Sequence, residues 1–350
     1  MRIFLKECSS LAKYHQTHLI VVNGQNEVKN NVTIHGLKVN FKSRFQRFTK
    51  AVHESYKKAL EINADVYHLH DPELLRIAIK LKKKGKKVIY DAHEDLPKQI
   101  LSKPYINKKI SKIIAYIIEK YENKIVRKLD AIIGATPHIT KRFKKINKKT
   151  YNINNYPLLE EIELNKSETI TNQKNICYVG GITKIRGIHN VVDAISEVND
   201  INLFLAGEFS SQDYKDEIKS KKGWDKVTEL GFISRTKSKN IKNKCFAGIV
   251  TFLPEENHIN AQPNKIFEYM SSGLCVIGSN FKLWKDIIEG NEVGICVDPK
   301  NSDEIKNAII NLAQNPELVK KMGSNGIKAI KEVYNWSIEE KKLLDLYENL

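Results

Sequence analysis

Much that would assign a chain at a glance is missing here. No apolar run in these 350 residues approaches bilayer-spanning length, and the N-terminal stretch has no signal-peptide segment. Cysteine is sparse: five residues, scattered singly, with Cys177, Cys275 and Cys296 in apolar, strand-like segments. That argues against a disulfide framework and for free thiols in a reducing, cytoplasmic setting. Neither G-x-x-x-x-G-K-[ST] nor G-x-G-x-x-G occurs, which excludes a Walker loop and disfavours a nicotinamide cofactor. There is no Asp-x-Asp and no evident group of metal ligands, so no metal and no cofactor is expected. Solenoid-type repeats are absent too.

What is there is a globular composition, 41% hydrophobic and 28% charged, with its charge placed unevenly. Residues 1–150 hold 33 Lys+Arg against 13 Asp+Glu, a net of +20; residues 151–350 hold 25 against 28, a net of −3. One half is therefore expected to meet an anionic partner. Nucleic acid is not favoured, because no recognition motif or aromatic–basic interleaving accompanies the charge. A single lysine run such as 82–87 reads equally well as a solvated helix face.

The length suggests two domains. Periodicity places strands at 18–22, 32–37, 65–70, 87–90 and 131–135, alternating with helices at 2–13, 43–61, 72–83 and 106–128. After a polar link at 160–174 the pattern restarts, with strands at 176–179, 203–206, 246–250 and 275–277 between helices. Helices at 302–314, 316–333 and 338–349 close the chain. Such alternation implies an α/β fold with parallel sheets: two facing Rossmann-like domains at 1–157 and 158–334, and a final helix, 335–350, crossing back to the first. The chain starts almost inside a helix, so the opening strand of the first domain, with its loop, is expected to be missing.

Three stretches carry chemistry. In N-A-Q-P-N-K-I-F-E-Y-M-S-S-G-L-C-V-I-G-S, from Asn260 to Ser279, a helix opens at Pro263-Asn264 and stops at Gly273. Its N-terminus is an anion seat reinforced by Lys265, with Asn264 and Glu268 on the same face. An ordinary amphipathic helix packed through Ile266, Phe267, Tyr269 and Met270 is the competing reading. In Y-V-G-G-I-T-K-I-R-G, from Tyr178, a buried strand ends in Gly180-Gly181, with Lys184 and Arg186 at the mouth of the next helix. Close backbone approach and a bidentate arginine suit a phosphate; a tight turn is the plainer alternative. Y-D-A-H-E-D, from Tyr90, puts His93 and Glu94 just past a strand end, and His70-Asp71 ends the strand before it. A histidine there is either structural or functional.

Together, the glycine–arginine loop and the later P-x-K-x-x-E-Y-M-x-x-G-x-x-V-I resemble the family-4 retaining glycosyltransferases of the GT-B fold. The likeness runs along essentially the whole chain and is nearest the branch that makes capsular and surface polysaccharides. It implies a UDP-, GDP- or ADP-sugar donor, with Glu268 on the ribose and Asn260 where a second carboxylate is common. It places Arg186 and Lys265 on the diphosphate, with Gly180, Gly181, Lys184, Pro263 and Asn264 around it and Gly231-Phe232 near the base. His93 matches a histidine facing the donor sugar, and His70, Asp71 and Glu94 fall on the acceptor side. Transfer would retain configuration without a metal, the departing phosphate acting as base. Acceptors would be glycans or lipid-linked sugars, and the basic first half, with its Ile113, Ile114, Ile117, Ile118 stripe, would either sit on an anionic inner membrane face or pack into the core. A sugar-nucleotide epimerase or a non-catalytic nucleotide-sugar binder are the other functions compatible with this pattern.

Overall fold

A computed structural model describes residues 2–40, 43, 46–101, 106–162 and 174–350. The chain divides into two units, Met1–Asn155 with Trp336–Leu350, and Tyr156–Asn335. Most of the polar link at 160–174 lies outside the described residues.

In the first unit, π-helical turns at Arg2–Cys8 run into Ser9–Leu11. Strands β1 (Thr17–Val22), β2 (Glu27–Lys29) and β3 (Val32–Leu37) form one sheet in the order β1-β3-β2. Strands β4 (Val66–Leu69), β5 (Lys87–Ala92), β6 (Ala131–Gly134) and β7 (Thr150–Asn152) form a second, all-parallel sheet in sequence order. Among the described residues β1 pairs with β3 and β4 with β5, so neither extends into the other's sheet. The β2 strand adds a short antiparallel edge to the expected parallel strands. Asn30 and Asn31 both take positive φ, 52° and 59°, and turn the chain into an antiparallel β2–β3 hairpin. The strand itself is short and exposed, which hid it from a periodicity reading.

β5 and β6 are buried on both faces after their first residue, as parallel strands covered by helices are. Leu75, Ile77, Ala78 and Leu81 of the helix Leu75–Lys83 close one side of this core. The helix Pro137–Lys144, not among the expected elements, starts at T-P: Thr136 accepts from Ile139 N at 3.3 Å and Pro137 fills the first turn. The last helix, Trp336–Glu348, opens two residues before the expected 338, and Trp336 Nε1 donates to Ser10 Oγ at 2.9 Å.

The second unit is a six-stranded parallel sheet in the order β10-β9-β8-β11-β12-β13. Its strands are β8 (Asn175–Val179), β9 (Asn202–Ala206), β10 (Val227–Gly231), β11 (Ala247–Val250), β12 (Cys275–Ser279) and β13 (Gly294–Val297). The adjacent interior strands β11 and β12 are buried throughout. Trp284, Tyr269 and Phe267 are among the largest side chains buried in this core, each worth roughly 1.5–3 kcal/mol of burial.

Candidate functional site

The strand order of the second unit reverses between β8 and β11. In open parallel sheets, ligands bind outside the carboxyl ends of the strands at such a reversal. The segment 180–187 leaves β8 there, and Thr251-Phe252 leaves β11. Gly180, Gly207 and Gly231 close the ends of β8, β9 and β10, with φ of 142°, 143° and 61°. Gly180 N donates to Ala206 O and Gly207 N to Gly231 O, both at 2.8 Å. A Cβ on Gly207 would run into the Gly180 carbonyl, so these loops close on one another only without a side chain. Gly187, at φ 72°, packs on the Thr251 carbonyl, and Leu253 N donates to Ile185 O at 2.9 Å.

On this seam the Arg186 guanidinium stacks over the Phe252 ring, 4.0 Å from its centroid. Lys265 Nζ lies 5.9 Å from the same ring and 5.5 Å from that of Tyr178. Burial, and then the charge of Arg186, pull the Lys265 ammonium down from 10.5 to about 8, against a smaller opposing pull from Glu268. Burial, with Arg186 adding to it, also lowers His258 to about 4, so that ring is neutral near pH 7. Thr183 Oγ1, Thr251 Oγ1 and Gln262 Oε1 are buried here without a hydrogen-bond partner.

The helix bearing Lys265 is Asn264–Ser271, and Gly273 at φ 61° turns the chain into β12. Pro263 caps this helix from an extended conformation, ψ 130°, and so stands just outside the first turn where sequence placed it. Tyr269 OH accepts from Val179 N at 3.1 Å, which ties the helix to the end of β8, and Trp284 Nε1, from the helix Lys282–Ile288, donates to Ala261 O at 2.7 Å and holds the segment just before Pro263. Asn264 and Glu268 are exposed, and Asn260 caps the short helix Glu256–Ile259. Lys184 pairs with Glu217 at 3.3 Å, which turns it toward the helix Gln212–Lys219. Gly181 lies in the open, and Phe232 is 83% exposed beside Gly231.

The first unit assembles a different group. β4 and β5 pair in register, Leu69 opposite Tyr90, so His70 and Asp91 are neighbours one residue on. Alternation then puts His68 and His70, and Asp91 and His93, on one face. The Arg2–Cys8 turns lie over that face. Arg2 Nη2 reaches both Asp91 oxygens at 3.0 and 2.9 Å, and Arg2 Nε reaches Glu7 Oε1 at 2.7 Å. His93 Nε2 stands 3.2 Å from Asp91 Oδ2 and 3.3 Å from His70 Nδ1. Burial alone would raise Asp91, yet Arg2, His93 and the hydrogen bonds from His70 and His93 hold it well below the usual carboxylate range. Glu7 goes the other way: burial and the Asp91 charge push it to about 8, more than Arg2 offsets. The expectation of no grouped metal ligands is corrected here, since Glu7, His68, His70 and Asp91 converge. Asp71 and Glu94 stay exposed, Glu94 accepting from Gln99.

Two family models cover the chain in turn. The model "Glycosyltransferase Family 4" matches residues 6–154, and "Glycosyl transferases group 1" matches residues 160–329. The chain belongs to the family-4 glycosyltransferases. An uncharacterized glycosyltransferase of Methanocaldococcus jannaschii is 25% identical over 179 residues, half of this glycosyltransferase and 45% of that relative's own length. The sucrose-phosphate synthase of Thermosynechococcus elongatus superposes with a TM-score of 0.79 at 16% identity, covering 98% of this chain and 91% of its own. HepE of Anabaena, solved with UDP-glucose, gives 0.69 at 16%, covering 91% and 86%. The fold is therefore GT-B, two α/β domains with parallel sheets.

The glycosyltransferase's donor-side loops are readable as contiguous motifs, whereas Arg2, Glu7, His68 and Asp91 lie outside them. The alternating H-x-H and D-x-H at successive strand ends was the available signal. No sequence rule would have supplied Arg2, which meets Asp91 across 89 positions.

Proposed function

We propose that this glycosyltransferase transfers a hexose-type sugar from a nucleoside-diphosphate sugar to a glycan or lipid-linked acceptor, with retention and without a metal on the diphosphate. The observation that carries the proposal is the pair of cations, Arg186 and Lys265, held over one aromatic ring at the switch point of the second unit. Their mutual repulsion in a partly buried site is relieved by an anion, and a departing diphosphate gains negative charge as the glycosidic bond breaks. Glu268, exposed on the next turn, is assigned to the ribose, Phe232 to the base and Asn260 to the sugar. The unpartnered Thr183, Thr251 and Gln262 atoms offer hydrogen bonds to the same ligand. HepE binds UDP-glucose, which makes UDP-sugars the first donors to test, ahead of GDP- and ADP-sugars. A thermal-shift screen against all three is the direct test: the true donor raises Tm, and no shift with any of them contradicts the assignment. Release of free nucleotide on adding acceptor then separates an enzyme from a binder.

Donor affinity is expected to depend on pH through Lys265. Its ammonium is charged below about 8 and is lost above, while a bound diphosphate favours the charged form. Affinity should be flat well below that point and fall about tenfold per pH unit above it. Calorimetry across this range checks the step, and Lys265→Arg, always charged, should remove it.

On the acceptor side, His70, Asp71 and Glu94 are assigned to contact the acceptor, while His93 is assigned to the donor sugar. The basic first unit is assigned to an anionic membrane surface. Ile110, Ile113, Tyr116, Ile117 and Tyr121 stand exposed along the helix Lys108–Val126, and Lys109, Lys112, Lys120 and Lys124 are exposed on the same helix. Ile114 and Ile118 are half-buried, so the expected stripe is split between the two readings given above. No helix among the described residues is long and apolar enough to cross a membrane. Vesicle co-sedimentation should rise with anionic lipid, fall with salt and drop on Ile113→Asp with Ile117→Asp. Equal binding to neutral vesicles at high salt contradicts the electrostatic part.

A further inference from the structure

The glycosyltransferase reading uses His70 and His93 but gives no role to Glu7, His68 and Asp91, which gather with them at the first helical turns. One ligand atom each from Glu7, His68, His70 and Asp91 lies within 4.8 Å of all the others. Between Glu7 Oε2 and His70 Nδ1 the distance is 3.5 Å, between His70 Nδ1 and Asp91 Oδ2 3.5 Å, and between His68 Nε2 and Asp91 Oδ2 3.9 Å. Four ligands about 2.0–2.2 Å from a tetrahedral centre stand about 3.3–3.6 Å apart, so these separations leave room for one ion and little else.

Two atoms of the group are unsatisfied. Glu7 Oε2 and His68 Nε2 are buried and have no hydrogen-bond partner. Both side chains are aimed inward by bonds at their far ends. Arg2 Nε holds the other Glu7 oxygen, Oε1, and the Tyr347 hydroxyl lies 3.1 Å from His68 Nδ1. Arg2 Nη2 likewise orients the Asp91 carboxylate, leaving a lone pair of Oδ2 directed at the imidazoles. Such outer contacts are what fix ring orientation and carboxylate direction around bound metals.

We propose that Glu7, His68, His70 and Asp91 bind a single divalent transition-metal ion of the zinc type. Two imidazoles and two carboxylates exclude the hard, all-oxygen preference of calcium and magnesium. Binding releases any proton from Glu7, and with both carboxylates ionised and Arg2 charged the ligand set carries one net negative charge to meet a divalent ion. The ion ties the Arg2–Cys8 turns to the carboxyl ends of β4 and β5, and sets the position of His93 through Asp91. It is built from the first unit alone and does not rest on the diphosphate assignment.

Metal content decides the matter without any nucleotide. The full chain, stripped with EDTA and dialysed against zinc, should retain a single zinc and melt at a higher temperature, reversibly on EDTA. Cobalt in its place should give the visible absorption of a tetrahedral site. Glu7→Gln and His68→Gln should abolish stoichiometric retention, while Tyr347→Phe should keep the stoichiometry and weaken affinity about tenfold. A wild-type chain that retains no zinc overturns the proposal. So does retention unchanged in both glutamine variants, which would place the metal on other histidines. If either variant fails to fold, the wild-type stoichiometry and the cobalt spectrum decide: no tetrahedral band, no site.

Discussion

Arg186→Ala is expected to lower turnover about 10²–10³-fold with whichever nucleotide sugar the protein accepts. Charge develops on the leaving diphosphate during bond breaking, so a cation fixed beside it acts more on the transition state than on the bound donor. The loss should therefore fall mainly on kcat, with KM changing less. The side chain stacks on Phe252 and is not part of the core, so folding should survive its removal. Arg186→Lys should recover only part of the rate, because an ammonium supplies charge without the planar fork. Steady-state kinetics of the three proteins test this. A kcat unchanged by Arg186→Ala would remove the guanidinium from the reaction.

Gly207→Ala is expected to cost about 3 kcal/mol, from a backbone region open almost only to glycine plus the clash with the Gly180 carbonyl. For a unit of this size that lowers Tm by roughly 6–12 °C. Moving Gly180 also disturbs Lys265, whose ammonium end fills the space a Gly180 side chain would need. Donor affinity should fall with stability, linking loop closure to function. Gly181→Ala is the control: a Cβ there meets nothing within 4 Å, and its Tm should stay near wild type. Calorimetric melting of both variants distinguishes a strained loop from generic intolerance.

The second unit was legible because its chemistry lies in short contiguous motifs at strand ends. A glycine after an apolar strand and a proline before an amphipathic helix have local meaning, and the switch-point rule brings the two together. The first unit was less so. On the helix Lys108–Val126 two apolar faces compete, and the sequence does not say which turns inward. Ser111 and Ala115 are the buried ones with Ile125 and Val126, because small residues let the helix sit close, and this leaves Ile113 and Ile117 outside. Glu122, on that inner face, is carried by Arg142 and the Tyr90 hydroxyl, partners twenty and thirty-two positions away. His70 read as half of a His-Asp dipeptide, whereas the strand period joins it to His68 and, through the register, to Asp91. Partnerships set by pairing register and packing are invisible until the sheet is assembled.

The central claim is that the 180–187 loop and the helix Asn264–Ser271 hold a nucleoside diphosphate. Calorimetric titration of UDP, GDP and ADP into the wild-type chain and into Glu268→Ala tests it most directly. One nucleotide should saturate a single site per chain. Loss of the exposed Glu268 carboxylate should weaken it by about tenfold or more, the worth of a charge-assisted hydrogen bond, and leave the ligand-free Tm unchanged. Absence of saturable binding by all three nucleotides, or equal affinity in Glu268→Ala, would contradict the account.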